Sequence, residues 1–175
     1  YISAALVLLS ALAVASCKNF DYEELVAAGN PVVKAATVGS VEMGDSIDVK
    51  VTCNDTEGYD LSTLKAEMCY SGETVNAVTV RTKTPGEYAL RLYVPFLRFI
   101  PNGKAQIRLT LQNVTTKATV ENVDVEVTRP HFADLQFVSS DNVSYPMTEG
   151  DDYTYTCNVT VSENAFKGYF RTADG

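Results

Sequence analysis

Tryptophan is absent from this chain of 175 residues, and histidine occurs once, at position 131. A single imidazole excludes a three-histidine metal site and leaves a histidine-based proton relay only one place to start. Basic runs are missing too. With 14 Lys and Arg against 22 Asp and Glu, the net charge is −8, which argues against a partner whose phosphates must be neutralised, so no nucleic acid is expected. The four cysteines show no Cys-x-x-Cys or Cys/His spacing that would suit zinc. The longest apolar run, residues 2–15, holds 14 positions, short of the ~20 that a bilayer-spanning helix needs. What remains is a globular composition, 46% hydrophobic and 21% charged, sized for one or two small domains.

The apolar run has the length of a secretory signal core, and small residues come after it where cleavage occurs. An initiator Met and a basic start are missing, so residues 1–16 read as a lipoprotein signal peptide truncated at its beginning. Val14-Ala15-Ser16-Cys17 resembles the bacterial lipobox, in which the bond before Cys is cut and the thiol takes a diacylglyceryl group. Cys17 is therefore the expected lipid attachment residue, and three acyl chains exceed the two signals that stable anchoring takes. An ordinary signal peptide with a chance cysteine is the alternative. Residues 17–30 read as an acidic tether. Its Lys18-Asn19-Phe20-Asp21-Tyr22-Glu23-Glu24 resembles the tag that sends Bacteroidota lipoproteins to the outer face of the outer membrane.

From Val32 onward the dominant period is two, in short runs broken by Gly, Pro, Asn and Asp, which is β structure. Ile47, Val49, Val51 and Cys53 alternate with polar residues, as do Leu64, Ala66, Met68 and Tyr70, then Tyr88, Leu90, Leu92 and Val94, then Ile107, Leu109 and Leu111. Val123, Val125 and Val127 close the set. Val120 is out of phase with them, which suggests a bulge near Glu121–Asn122. With 32–38 and 74–80 added there are about seven strands, each apolar on one face, and two antiparallel sheets must stack to hide those faces. Residues 31–129 are thus expected to form an Ig-like β-sandwich, one without the Cys–Trp–Cys signature of antibody domains. The Pro-containing stretch 94–100 should be a crossover that plugs one end.

Arg129-Pro130 breaks the last strand, since Pro cannot donate to a ladder. Strands at 135–139, 153–161 and 165–171 then make residues 130–175 the start of a second β domain, expected to be incomplete because three strands leave a face uncovered.

Several runs carry a resemblance: Met43-Gly44-Asp45-Ser46, residues 61–66 and 80–84, Tyr93-Val94-Pro95-Phe96-Leu97, Ile100-Pro101-Asn102-Gly103 and Val127-Thr128-Arg129-Pro130. Over about residues 30 to 130 these resemble the N-terminal Ig-like domain of unknown function in SusE/SusF-type surface lipoproteins, encoded beside SusC/SusD-type glycan importers of Bacteroidota. The resemblance implies a surface protein whose further domains, farther from the membrane, bind polysaccharide.

Candidate sites are few. A sugar is gripped by a flat aromatic under its C–H face, and Tyr serves where Trp is absent; Tyr59 in a loop, and Tyr93 beside Arg91 on an outward phase, are the glycan-binding candidates, with ordinary cross-strand pairing as the alternative. Cys53 and Cys69 fall on opposite phases, which opposes a disulfide. The acidic loops 54–60 and 149–152 offer oxygen ligands to Ca²⁺ but match no full motif, so neither a metal nor a cofactor is expected. Asp45-Ser46-Ile47 is similar to the O-glycosylation triplet of Bacteroidota, with Ser46 facing solvent. No nucleophile turn surrounds His131, and no enzyme is expected. The resulting expectation is a surface-exposed outer-membrane lipoprotein of a polysaccharide-uptake system, with the Ig-like domain as a spacer. The rivals are the N-terminal part of a surface glycoside hydrolase and a structural or adhesive Ig-array lipoprotein.

Overall fold

The computed structural model describes residues 26–160 and 166–172. The signal segment, Cys17 and most of the tether lie outside the described residues. Eight strands, β1 (Pro31–Ala35), β2 (Val41–Glu42), β3 (Ser46–Asp55), β4 (Leu61–Tyr70), β5 (Glu73–Arg81), β6 (Gly86–Tyr93), β7 (Gly103–Asn113) and β8 (Ala118–Thr128), form two sheets. Their orders are β1-β3-β6 and β2-β8-β7-β4-β5. Every pairing is antiparallel except that of β2, which runs parallel to β8. This is an Ig-like β-sandwich.

The alternation that defines the strands also builds the core. Ile47, Val49, Val51 and Cys53 of β3, Leu90 and Leu92 of β6, Leu64, Ala66 and Met68 of β4, and Ile107, Leu109 and Leu111 of β7 are buried in one cluster between the sheets. Each fully buried aliphatic side chain contributes ~1.5–3 kcal/mol. Ser71 and Gly72, with φ of 50° and 88°, make the two-residue β4–β5 turn. That pair of positive φ values is the geometry whose twist suits a hairpin, and Gly72 adopts it without a Cβ clash.

Four expectations change. β8 pairs with β7 without a break from Val127 to Ala118, so there is no bulge at Glu121–Asn122; Val120 simply points outward and is exposed. The irregularities fall instead in β4, at Met68/Cys69 against β5 and at Leu61/Thr63 against β7. Glu67 and Cys69, on the outward phase of β4, are nonetheless buried, with Thr74 of β5 against both: its Oγ1 lies 3.3 Å from Glu67 Oε1 and 3.7 Å from Cys69 Sγ. The crossover 94–100 plugs the sandwich only at its ends: Val94 is buried and Ile100 packs on the core, whereas Phe96, Leu97 and Phe99 stand in solvent.

Beyond Arg129-Pro130 lie β9 (Gln136–Ser139), β10 (Ser144–Pro146), β11 (Thr148–Glu149), a 3₁₀ turn at Asp151–Tyr153, β12 (Tyr155–Thr156) and β13 (Gly168–Arg171). β9 is the centre of a three-stranded sheet between β10 and β13, and β11 pairs with β12. The strand expected over 153–161 shrinks to β12, because Tyr153 turns away with a φ of 58°.

The register fixes the path of the chain. Pro31 faces Asp55 and Leu61 faces Asn113, so the N-terminal segment arrives at the end holding Asp55 and Asn113. Val127 faces Gly103, and Met43 N–H donates to the Thr128 carbonyl, so the chain leaves at the opposite end. The eleven residues of β7 separate the two by roughly 35 Å.

Candidate functional site

Polar networks close both ends of the sandwich, and at the N-terminal end the residues sit where the period calls for a hydrophobe. Asp55 comes after Cys53 on the inward phase of β3 and is 4% exposed. Its Oδ1 accepts from the backbone N–H of Asn30 (3.1 Å) and Glu57 (3.0 Å), and its Oδ2 from Asn113 Nδ2 (2.9 Å). Asn113, last on the inward phase of β7, also donates to the Ala28 carbonyl (2.7 Å) and accepts from the N–H groups of Thr115 (3.1 Å) and Lys117 (3.0 Å). Burial alone pushes the Asp55 pKa up, but the donors from Asn113, Asn30, Glu57 and Tyr59 outweigh it and hold the group below the usual carboxylate value. Gly29 threads through this knot at φ 93°. A Cβ there would collide with Asn113, Asp55 and Tyr59. The incoming chain is thereby fastened to β3 and β7.

At the C-terminal end Arg129 is 8% exposed. Its Nη1 donates to the carbonyls of Leu97 (3.0 Å), Arg98 (3.0 Å) and Ile100 (2.7 Å), its backbone N–H donates to Asn102 Oδ1, and its guanidinium lies 4.6 Å from the Phe96 ring centroid and 4.2 Å from that of Tyr153. Cation–π contacts of this kind contribute ~0.5–2 kcal/mol each. Tyr153 belongs to the second unit, so the residue on which the chain leaves the sandwich also grips the unit beyond it. The sequence read Arg129 only as half of a strand-breaking pair; its hydrogen bonds to a distant loop have no local signal. Asp55 and Asn113 were legible in principle, as polar residues on strictly apolar phases.

Ser46 is half-buried at the start of β3, opposite Tyr93, and Asp48 faces Arg91. Tyr93 and Arg91 are exposed on the outer face of the smaller sheet. Tyr59 packs at Gly29, at the other end of β3, whose ten residues span roughly 30 Å. One saccharide ring cannot touch all three. The Cys53 and Cys69 thiols are free and buried, and burial pushes the Cys53 pKa up to about 11. In the loop 54–60 the Asp55 oxygens already accept N–H donors. Among the described residues, no three Asp, Glu, His or Cys side chains come together to hold a metal. His131 Nδ1 lies 3.2 Å from Glu149 Oε2, with His131 largely in solvent.

A family model described as Domain of unknown function (DUF5016) matches residues 1–122. The chain belongs to that family. The match stops inside β8, yet the DUF5016 sandwich takes Val125 and Val127 of that strand into its core, so the folding unit reaches Thr128. No curated protein matches. Among solved structures, the DUF5016 chain is similar to OgpA from Akkermansia muciniphila at 17% identity, over 56% of this chain and 29% of that one, with a TM-score of 0.43. The CARDB domain of PF1109 from Pyrococcus furiosus, solved with di-metal ions, is similar at 18% identity over 62% and 99%, TM-score 0.39. A DUF4466 family protein from Parabacteroides merdae is similar at 9% identity over 74% and 55%, TM-score 0.41. The chain spans under a third of the length of OgpA. At such identities and scores the likeness says nothing about chemistry.

Proposed function

We propose that this DUF5016 chain is an outer-membrane lipoprotein, anchored through Cys17 and facing the exterior, that serves a polysaccharide-uptake system beside a SusC/SusD-type importer, as SusE/SusF-type proteins do. In this reading the sandwich is a spacer. It acts by position and not by catalysis, keeping glycan-binding domains located after it off the membrane and raising the effective concentration of polysaccharide near the importer.

The observation that carries the reading is the path of the chain, in at one end and out at the other, roughly 35 Å apart, with Asp55 and Asn113 fastening one end and Arg129 the other. A spacer needs that through-path and needs its ends not to swivel. The lipobox-like Val14-Ala15-Ser16-Cys17 supplies the anchor.

Labelling cells with radioactive palmitate tests the anchor. The wild-type protein should carry label, sediment with outer membrane and be digested by protease added to whole cells, whereas Cys17→Ser should be unlabelled and released. A Cys17→Ser protein that keeps its label, or a wild-type protein protected in whole cells, would overturn the proposal.

A further inference from the structure

We propose that the cleft where the sandwich meets the second unit binds a saccharide ring carrying a carboxylate. For the saccharide this rests on the polysaccharide-uptake reading; for the charge it rests on the cleft alone. The cleft has a volume of about 530 Å³, inside the ~300–1,000 Å³ range of small-ligand sites. Arg98 and Arg129, Phe99 and Tyr153 line it, with Thr154 at its rim, and none of the lining residues is acidic.

Arg129 is the fixed element. Three carbonyls occupy Nη1, while Nε is buried without a hydrogen-bond partner. The ion pairs formed by described carboxylates lie elsewhere, Glu67 with Lys65 and Glu149 with His131. A buried guanidinium held by carbonyl and ring dipoles keeps its full positive charge, and its field attracts an anion brought to its surroundings. Arg98 is exposed, with its guanidinium 5.5 Å from the Phe99 ring centroid, so it offers a reachable fork for a carboxylate over the field of Arg129. Phe99 is 87% exposed and Tyr153 40%. Two exposed aromatic residues, each stacked with one of two cations, suit a ring with apolar C–H faces and a charged edge. The left-handed backbone of Tyr153, at φ 58°, is strain of the kind found at ligand sites.

Calorimetric titration of the 175-residue chain, held in detergent for the sake of its apolar first segment, tests this with an oligogalacturonide, a neutral galactose oligomer of equal length and inorganic phosphate. The oligogalacturonide should bind and the neutral oligomer should not. Raising salt should weaken the binding, as expected when the Debye length shrinks to ~3 Å at 1 M. Arg98→Ala and Phe99→Ala, both at exposed positions, should keep the wild-type circular dichroism and melting curve and each lose about tenfold in affinity or more. No binding of the oligogalacturonide, equal binding of the neutral oligomer, displacement by an equal concentration of phosphate, or Arg98→Ala binding as well as wild type would each overturn the proposal. Palmitate labelling at Cys17 does not depend on Arg98, so a failure here leaves the anchored spacer standing, and loss of the anchor leaves this binding measurable.

Discussion

Gly29 is the residue on which the N-terminal knot closes. Because its φ is positive and a Cβ would strike Asn113, Asp55 and Tyr59, Gly29→Ala should destabilise the sandwich by about 2 kcal/mol in urea unfolding; a change under ~0.5 kcal/mol would show that the knot gives way freely. Asp55 links the same knot to acid. Its pKa is lowered in the folded chain from an ordinary 3.8, so its contribution is complete above that ordinary value and is lost as pH falls through the lower folded one. Wild type should therefore lose more melting temperature than Asp55→Asn between about pH 5 and about pH 2, even if the variant starts lower at neutral pH, and parallel slopes would contradict this. Cys53, with its pKa at about 11 and its thiol buried, should resist alkylation by iodoacetamide at neutral pH until the chain unfolds, while the half-buried Cys157 reacts first.

Elements were the most legible scale. Strict alternation placed Ile47, Val49, Val51 and Cys53 of β3 and Ile107, Leu109 and Leu111 of β7 inward, where they are, and missed Asp55, Ala105 and Asn113 on the same phases, because the pattern was read from apolar residues in the middle of each strand. Val120 misled because an apolar residue was assumed to need an interior, and single exposed valines are ordinary on sheets. Val120→Thr should leave stability within ~0.5 kcal/mol of wild type, whereas Val127→Ala, on the inward phase of the same strand, should cost about 2 kcal/mol or more by the same urea unfolding. Tyr153 misled for a different reason. Its place in an alternating run promised a strand, but stacking on Arg129 and the 3₁₀ turn that it ends pulled it out. A contact between residues so far apart in the chain has no trace in local periodicity. Neither does the burial of Glu67, whose carboxyl is held below its usual value by Lys65 Nζ at 2.7 Å, against that burial.

For the whole molecule, the smallest unit that folds is set by β8. A chain ended at residue 122, where the family match stops, would lack Val125, Val127 and the Thr128 carbonyl that receives Met43, and should show no cooperative melt, whereas one ended after Arg129 should. A sharp transition in the shorter chain would contradict the core as described. The through-path was not legible in the sequence. Strand phase was, and most of the sandwich strands apart from the two-residue β2, but register is a property of pairs, and the placement of the two termini depends on which residue faces which.

The parallel pairing of β2 with β8 has a mechanical meaning. A tug on the outgoing chain of a tethered molecule would load the rungs between these two strands side-on and all at once, and the bonds of β1 to β3 in the same way. Rungs sheared together must break together, whereas an unzipping hairpin yields one at a time, so under the proposed anchoring a pull from flow or drag would meet a strut that resists rupture along its own long axis.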